Sequence, residues 1–172
     1  KYGPAWGSLA GVVHGLITMM ISGGRAGGLA AMIESNGGLV TFLWVMLLDY
    51  ILAFAAIGLA GFAPKFTRNV PSSLALGAVI GLLGRYVCHF LSGFLLFGSY
   101  AEWFFTDQVP WGGWFLETFH GQAMSAVYSL VYNGLYMIPE IIITAIGGLI
   151  VGGVLAKQIN KGRTNRFAVS AK

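Results

Sequence analysis

Charge is what this chain has least of. Asp, Glu, Lys and Arg together make up 9% of its 172 residues, where a soluble domain carries about a quarter. Such a chain cannot cover a globular surface with charge, so much of that surface must face something other than water. Cysteine is nearly absent as well. Cys88 stands alone, which excludes an internal disulfide and any metal site built from several thiolates. There is no Gly-rich phosphate loop ending in Lys, no HExxH or HxxxH pair and no strained nucleophile motif. Nucleotide hydrolysis, zinc chemistry and Ser-His-Asp chemistry therefore have no support, and neither a metal nor a cofactor is expected.

A net charge of +4 would suit a nucleic-acid partner, but five of the ten basic residues fall between Lys157 and Lys172 and no basic–aromatic motif accompanies them. That segment reads as a basic flank to a membrane span, and no nucleic acid is expected. What the chain has in abundance is apolar sequence. Hydrophobic types reach 56% and the mean hydropathy is +0.75. Four stretches are long enough to cross about 30 Å of hydrocarbon: residues 4–22, 38–63, 71–99 and 122–157. The fold class expected is an all-α integral membrane bundle, one transmembrane domain over residues 1–172. The first residue is Lys1, with an apolar span almost at once; a preceding segment is expected.

The connections set the expected topology. Lys65 and Arg68 lie between the second and third spans, and the tail at 158–172 is basic. The 100–121 loop holds Glu102, Asp107 and Glu117 with no Lys or Arg. The positive-inside rule puts both termini in the cytoplasm and the acidic loop outside. That loop, YAEWFFTDQVPWGGWFLETFHG, carries Trp103, Trp111 and Trp114. It reads either as an interfacial aromatic belt or as a lid over a site open to the outside. Gly3, Gly7, Gly11 and Gly15, then Gly77 and Gly81, then Gly148 and Gly152, recur at four-residue spacing, a pattern that lets membrane helices pack closely.

Ionisable residues within the spans are His14, Asp49, Arg85, His89 and Glu140. Each is costly against lipid and should point to a partner or a cavity. At 1.5 Å per residue from the outer end of each span, Asp49 lies about 16 Å deep, His89 about 15 Å, Tyr128 about 9 Å and Asn133 about 17 Å. Three helices thus place polar groups in one layer, enough for a pocket reached from outside. Arg85, about 21 Å deep, and Glu140, about 27 Å deep, sit below it. Arg85 needs a carboxylate, either Glu140 or Asp49. His14 has no polar companions at its depth and reads as an ordinary interhelical residue.

These residues carry a resemblance. RYVCHFLSG followed by VYSLVYNGLYMIPE, supported by LLDYILAFAAIGLAGF and GSYA, resembles the thiamine-specific substrate-binding (S) component of energy-coupling-factor (ECF) transporters of Gram-positive bacteria and their relatives. The resemblance implies six membrane helices, of which the four here are the last. It implies a bacterial cell-membrane protein that binds thiamine from outside and docks on a transmembrane coupling subunit carrying two ATPase subunits. It also assigns residues. Asp49 stands where the family has a carboxylate, usually Glu, on the aminopyrimidine, followed by Tyr50. His89 stands where a His packs on the thiazolium, Gly93 beside the ligand, and Tyr128 and Asn133 where Tyr and Asn bond the pyrimidine. Phe97 replaces a Trp that stacks on the thiazolium in some relatives. Arg85 and Glu140 are read as a structural charge pair. The alternatives are an S component for another small heterocyclic vitamin, or a proton-coupled carrier using Asp49, Arg85, His89 and Glu140 as a relay.

Overall fold

The computed structural model describes residues 3–25 and 27–170, with side chains as far as residue 158. All regular structure among these residues is helical. Helix α1 is Gly3–Arg25, α2 Leu29–Ser35, α3 Leu39–Lys65 and α4 Val70–Leu96. A short helix α5, Ala101–Trp103, runs on through the wide turn Phe104–Gln108; α6 is Gly113–Thr118 and α7 Gly121–Ser170. Helices α1, α3, α4 and the part of α7 up to Gln158 are each long and apolar enough to cross a membrane. The chain is an all-α, multi-pass membrane bundle. Lys1 and the side chains of the basic tail beyond residue 158 lie outside the described residues.

Two details depart from the sequence reading, and Pro139 adds a third point. The 23–37 connection contains a helix, α2, between Gly28 and Gly38, both with positive φ. Helix α4 stops at Leu96, because Phe97 leaves the helical region at φ −119° and a tight turn follows at Gly98–Tyr100. Helix α7 continues through Pro139 without a break, an arrangement that membrane helices tolerate when neighbours re-satisfy the freed carbonyl.

In lipid there is no hydrophobic drive to bring helices together, so close backbone contact and interhelical hydrogen bonds do it. The glycine ladders serve the first. A Cβ at Gly11 would run into the carbonyl of Phe54, and one at Gly15 into that of Tyr50, so α1 lies directly on α3. Gly81 faces the backbone of Ile57 and joins α4 to the other side of α3. Large apolar side chains on the remaining faces, such as Leu135, Ile142 and Ile146 of α7, are exposed, as lipid-facing positions must be. The end of the bundle that carries α5 and α6 is closed by an aromatic cap. Phe104 and Phe105 are buried there against Met124 and Tyr128 at the start of α7.

Candidate ligand-binding site

Just beneath this cap, α3, α4 and α7 diverge around a cavity of about 550 Å³, within the usual range for small-molecule sites. Helix α3 is not regular here. Between Met46 and Leu52 it widens into a π-helical stretch with Asp49 and Tyr50 in the middle. Such wide turns stack residues five apart and recur at functional sites. In this one, Val45 with Tyr50 and Asp49 with Phe54, each pair five apart, reach the same cavity. The carboxylate thus arrives at the site beside two aromatic rings.

Asp49 is held from α4. His89 Nδ1 donates to its Oδ1 at 2.7 Å and the Ser92 hydroxyl donates to its Oδ2 at 2.5 Å. On its other side His89 Nε2 meets Arg85 Nε at 3.2 Å. A guanidinium can only donate, so Nε2 must accept, and the proton of His89 sits on Nδ1. The geometry therefore assigns a neutral imidazole. Arg85 in turn donates to Glu140 Oε1 at 2.7 Å and lies 4.8 Å from the Phe54 ring centroid. The charges along this chain are −1 at Glu140, +1 at Arg85, 0 at His89 and −1 at Asp49. Arg85 and Glu140 cancel, leaving one negative charge, that of Asp49, facing the cavity.

Helix α7 supplies a different chemistry. Asn133 Nδ2 donates to the backbone carbonyls of Ser129 at 2.9 Å and His89 at 3.2 Å, and its Oδ1 accepts from the Tyr136 hydroxyl at 2.6 Å. The Ser129 hydroxyl donates to the Phe90 carbonyl at 2.7 Å. Asn133 thus clamps α7 to α4 at the height of His89. Gly93 makes the clamp possible, because a Cβ there would strike the Ser129 hydroxyl. The Tyr128 hydroxyl has no hydrogen-bond partner among the described residues; the residue lines the cavity, its ring packed 5.4 Å from that of Phe104.

All seven residues selected from the sequence as ligand contacts, Asp49, Tyr50, His89, Gly93, Phe97, Tyr128 and Asn133, line this one cavity, and so does Arg85. Glu140 stands behind Arg85, outside the lining. His14 does not take part. It is exposed on α1, its ring 5.2 Å from Phe54 and edge-on to it. Of the loop tryptophans only Trp103 lines the cavity, together with Tyr100; Trp111 and Trp114 are 51% and 59% exposed on the cap surface. The sequence reading missed Ser92, Phe54, Tyr132 and Tyr136. A signal existed for the tyrosines, since Tyr128, Tyr132 and Tyr136 recur at four-residue spacing on one face of α7, and consecutive rings lie 5.6 Å and 6.2 Å apart.

The family model described as Thiamine transporter protein (Thia_YuaJ) matches residues 1–103. The chain belongs to this family. The matched stretch includes α1, α3 and α4, hence Asp49, Arg85, His89, Gly93 and Phe97; the α7 residues lie beyond it. The chain is also similar to the "Thiamine transporter ThiT" of Bacillus subtilis (strain 168), 34% identical over 150 residues, covering 82% of this chain and 64% of that protein. It thus spans just under two thirds of that relative's length. No solved structure matches the chain.

Proposed function

We propose that this chain is the thiamine-binding membrane subunit of an ECF-type importer. It captures thiamine from outside and hands it to a separate module, a transmembrane coupling subunit with two ATPase subunits that hydrolyse ATP. The observation that carries this reading is the single uncompensated carboxylate, Asp49, set among aromatic faces in a member of the thiamine transporter family. Thiamine is an organic cation with two flat rings. A carboxylate neutralises such a cation where the dielectric is low, and each aromatic face adds about 0.5–2 kcal/mol of cation–π attraction.

In this reading Asp49 provides the counter-charge and accepts from the aminopyrimidine. The His89 imidazole packs on the thiazolium, with Phe97 and Trp103 as further faces, and Tyr50 and Gly93 shape the wall beside them. The free Tyr128 hydroxyl fixes orientation. Asn133 offers a ligand only the second lone pair of Oδ1, so its main service is to hold α7 against α4. Lys65 and Arg68 in the 64–70 connection, together with the basic tail, support a cytoplasmic position for the opposite end of the bundle and an outside position for the aromatic cap. The chain of groups from Asp49 to Glu140 argues against a proton relay. Arg85 stands in its middle, and a guanidinium does not deprotonate in proteins.

The test is direct titration of the purified full chain with thiamine, followed by tryptophan fluorescence and calorimetry, beside a panel of other heterocyclic vitamins in thermal-shift assays. Thiamine should bind and raise the melting temperature by mass action. Absence of binding at micromolar thiamine would reject the proposal, and a shift by another vitamin alone would reassign the ligand. Uptake in cells carrying the coupling and ATPase subunits should follow ATP rather than the proton gradient.

A further inference from the structure

The chain of charges points beyond the ligand contacts to Glu140. We infer that Glu140, which does not line the cavity, is a specificity-determining residue: by engaging Arg85 it keeps the cavity selective for a plain organic cation over the same cation bearing a phosphate ester. This rests on the reading of the cavity as a thiamine site.

Among the described residues, Arg85 is the only Lys or Arg that lines the cavity, and its guanidinium lies within hydrogen-bond reach of His89, one turn along α4. Left to itself, such a group is a ready phosphate ligand, because Arg pairs with phosphate oxygens through two parallel hydrogen bonds. In this structure three contacts hold it away from that role. Nη1 is engaged by Glu140 at 2.7 Å, Nε by His89 at 3.2 Å, and its flat face lies over Phe54 at 4.8 Å. Of these, only the Glu140 contact carries charge. Glu140 therefore does two things at once. It cancels the positive charge that would otherwise offset Asp49, and it occupies the donor that a phosphate would take. With Glu140 neutral, the sum over Asp49, Arg85 and Glu140 rises from −1 to 0, and Nη1 becomes free to turn toward the cavity. The bare cation then loses its net attraction, while a phosphomonoester of that cation gains a partner.

The experiment compares the full chain and its Glu140→Gln and Glu140→Asp variants in two readouts. The first is the ratio of dissociation constants for thiamine and thiamine monophosphate. The second needs no ligand: in a Cys88→Ser background, the thiol introduced by Tyr132→Cys on the cavity wall is labelled with cationic and anionic methanethiosulfonate reagents, and the ratio of the two rates is taken. Taking ratios cancels a general loss of folding or of thiol reactivity. Glu140→Gln should shift the affinity ratio at least tenfold toward the monophosphate and lower the cationic-to-anionic labelling ratio several-fold. Glu140→Asp should keep both near the wild-type values. Arg85→Met added to Glu140→Gln restores the net −1 and should return the labilised labelling ratio toward the wild type. Should Glu140→Gln fail to fold, Glu140→Ser takes its place. An affinity ratio or a labelling ratio that stays within twofold of the wild type overturns the inference. If the wild-type chain binds neither ligand, the proposed function falls, and the labelling ratio alone decides the role of Glu140.

Discussion

Helices α4 and α7 meet twice, and the two meetings are built differently. Near the cap, Ser129 and Asn133 donate to carbonyls of Phe90 and His89, and the Tyr86 hydroxyl donates to the carbonyl of Leu130 at 2.7 Å. Toward the opposite end there are no such bonds among the described residues. Instead a Cβ at Gly148 would come within 3.0 Å of backbone atoms of Leu74 and Ala75, and one at Gly152 would collide with Pro71. The first contact is directional and fixes the rotation of α7 about its axis to within a hydrogen bond's tolerance. The second fixes only distance, by removing side chains so that backbones touch. A binding site needs the former, because Tyr128 and Asn133 must point to one place. A spacer needs only the latter.

If that division holds, the largest effect comes from the charge itself. Asp49→Ala should weaken thiamine binding by about 100-fold or more, roughly 3 kcal/mol, because it strips the cavity of the one negative charge that faces a cationic ligand. Circular dichroism and melting should change far less; a large loss of melting temperature with little loss of affinity would make Asp49 a structural residue. Next is the far contact. Gly152→Val should cost about 1–3 kcal/mol of stability through forced separation of α4 and α7, read as a lower melting temperature in detergent, while the affinity of the folded fraction stays within about threefold, roughly 0.6 kcal/mol. A matching loss of affinity would break the comparison.

Asn133→Ala should act on both properties at once. Losing a polar clamp between membrane helices costs about 0.6–1.7 kcal/mol, and the freed rotation of α7 should move Tyr128 and lower affinity by a similar factor. Equal effects sharpen the comparison; a pure stability effect would place the clamp with the spacers. The smallest effect belongs to Ser92→Ala, where Asp49 keeps His89. About 1 kcal/mol of stability is expected to be lost, read as a small drop in melting temperature, with at most about a fivefold loss in thiamine affinity by titration.

The spans were legible because hydropathy sums locally and needs no neighbour. The meeting of Asp49, His89, Tyr128 and Asn133 was legible in part, since depth along a helix follows from residue count alone. Rotation about each axis does not. That is why Ser92, one turn from His89, was passed over, and why Arg85 could be placed with either of two carboxylates. Its choice of Glu140 depends on where α7 turns its face after Pro139. The wide turn Met46–Leu52 left no mark in the composition of MLLDYIL, which reads as ordinary apolar helix around one acid.

By itself, then, the sequence determined that this chain is a bundle of four long apolar helices with tight glycine contacts and a few buried charges that need partners. It also carried the family resemblance that names thiamine as the ligand to test. Tertiary structure alone decided which charge stays uncompensated. That outcome turns on a 2.7 Å contact between residues 55 positions apart. Coulomb attraction in a low-dielectric interior is strong enough to select one partner, but which partner is within reach is set by helix rotation, and rotation is a property of the packed bundle.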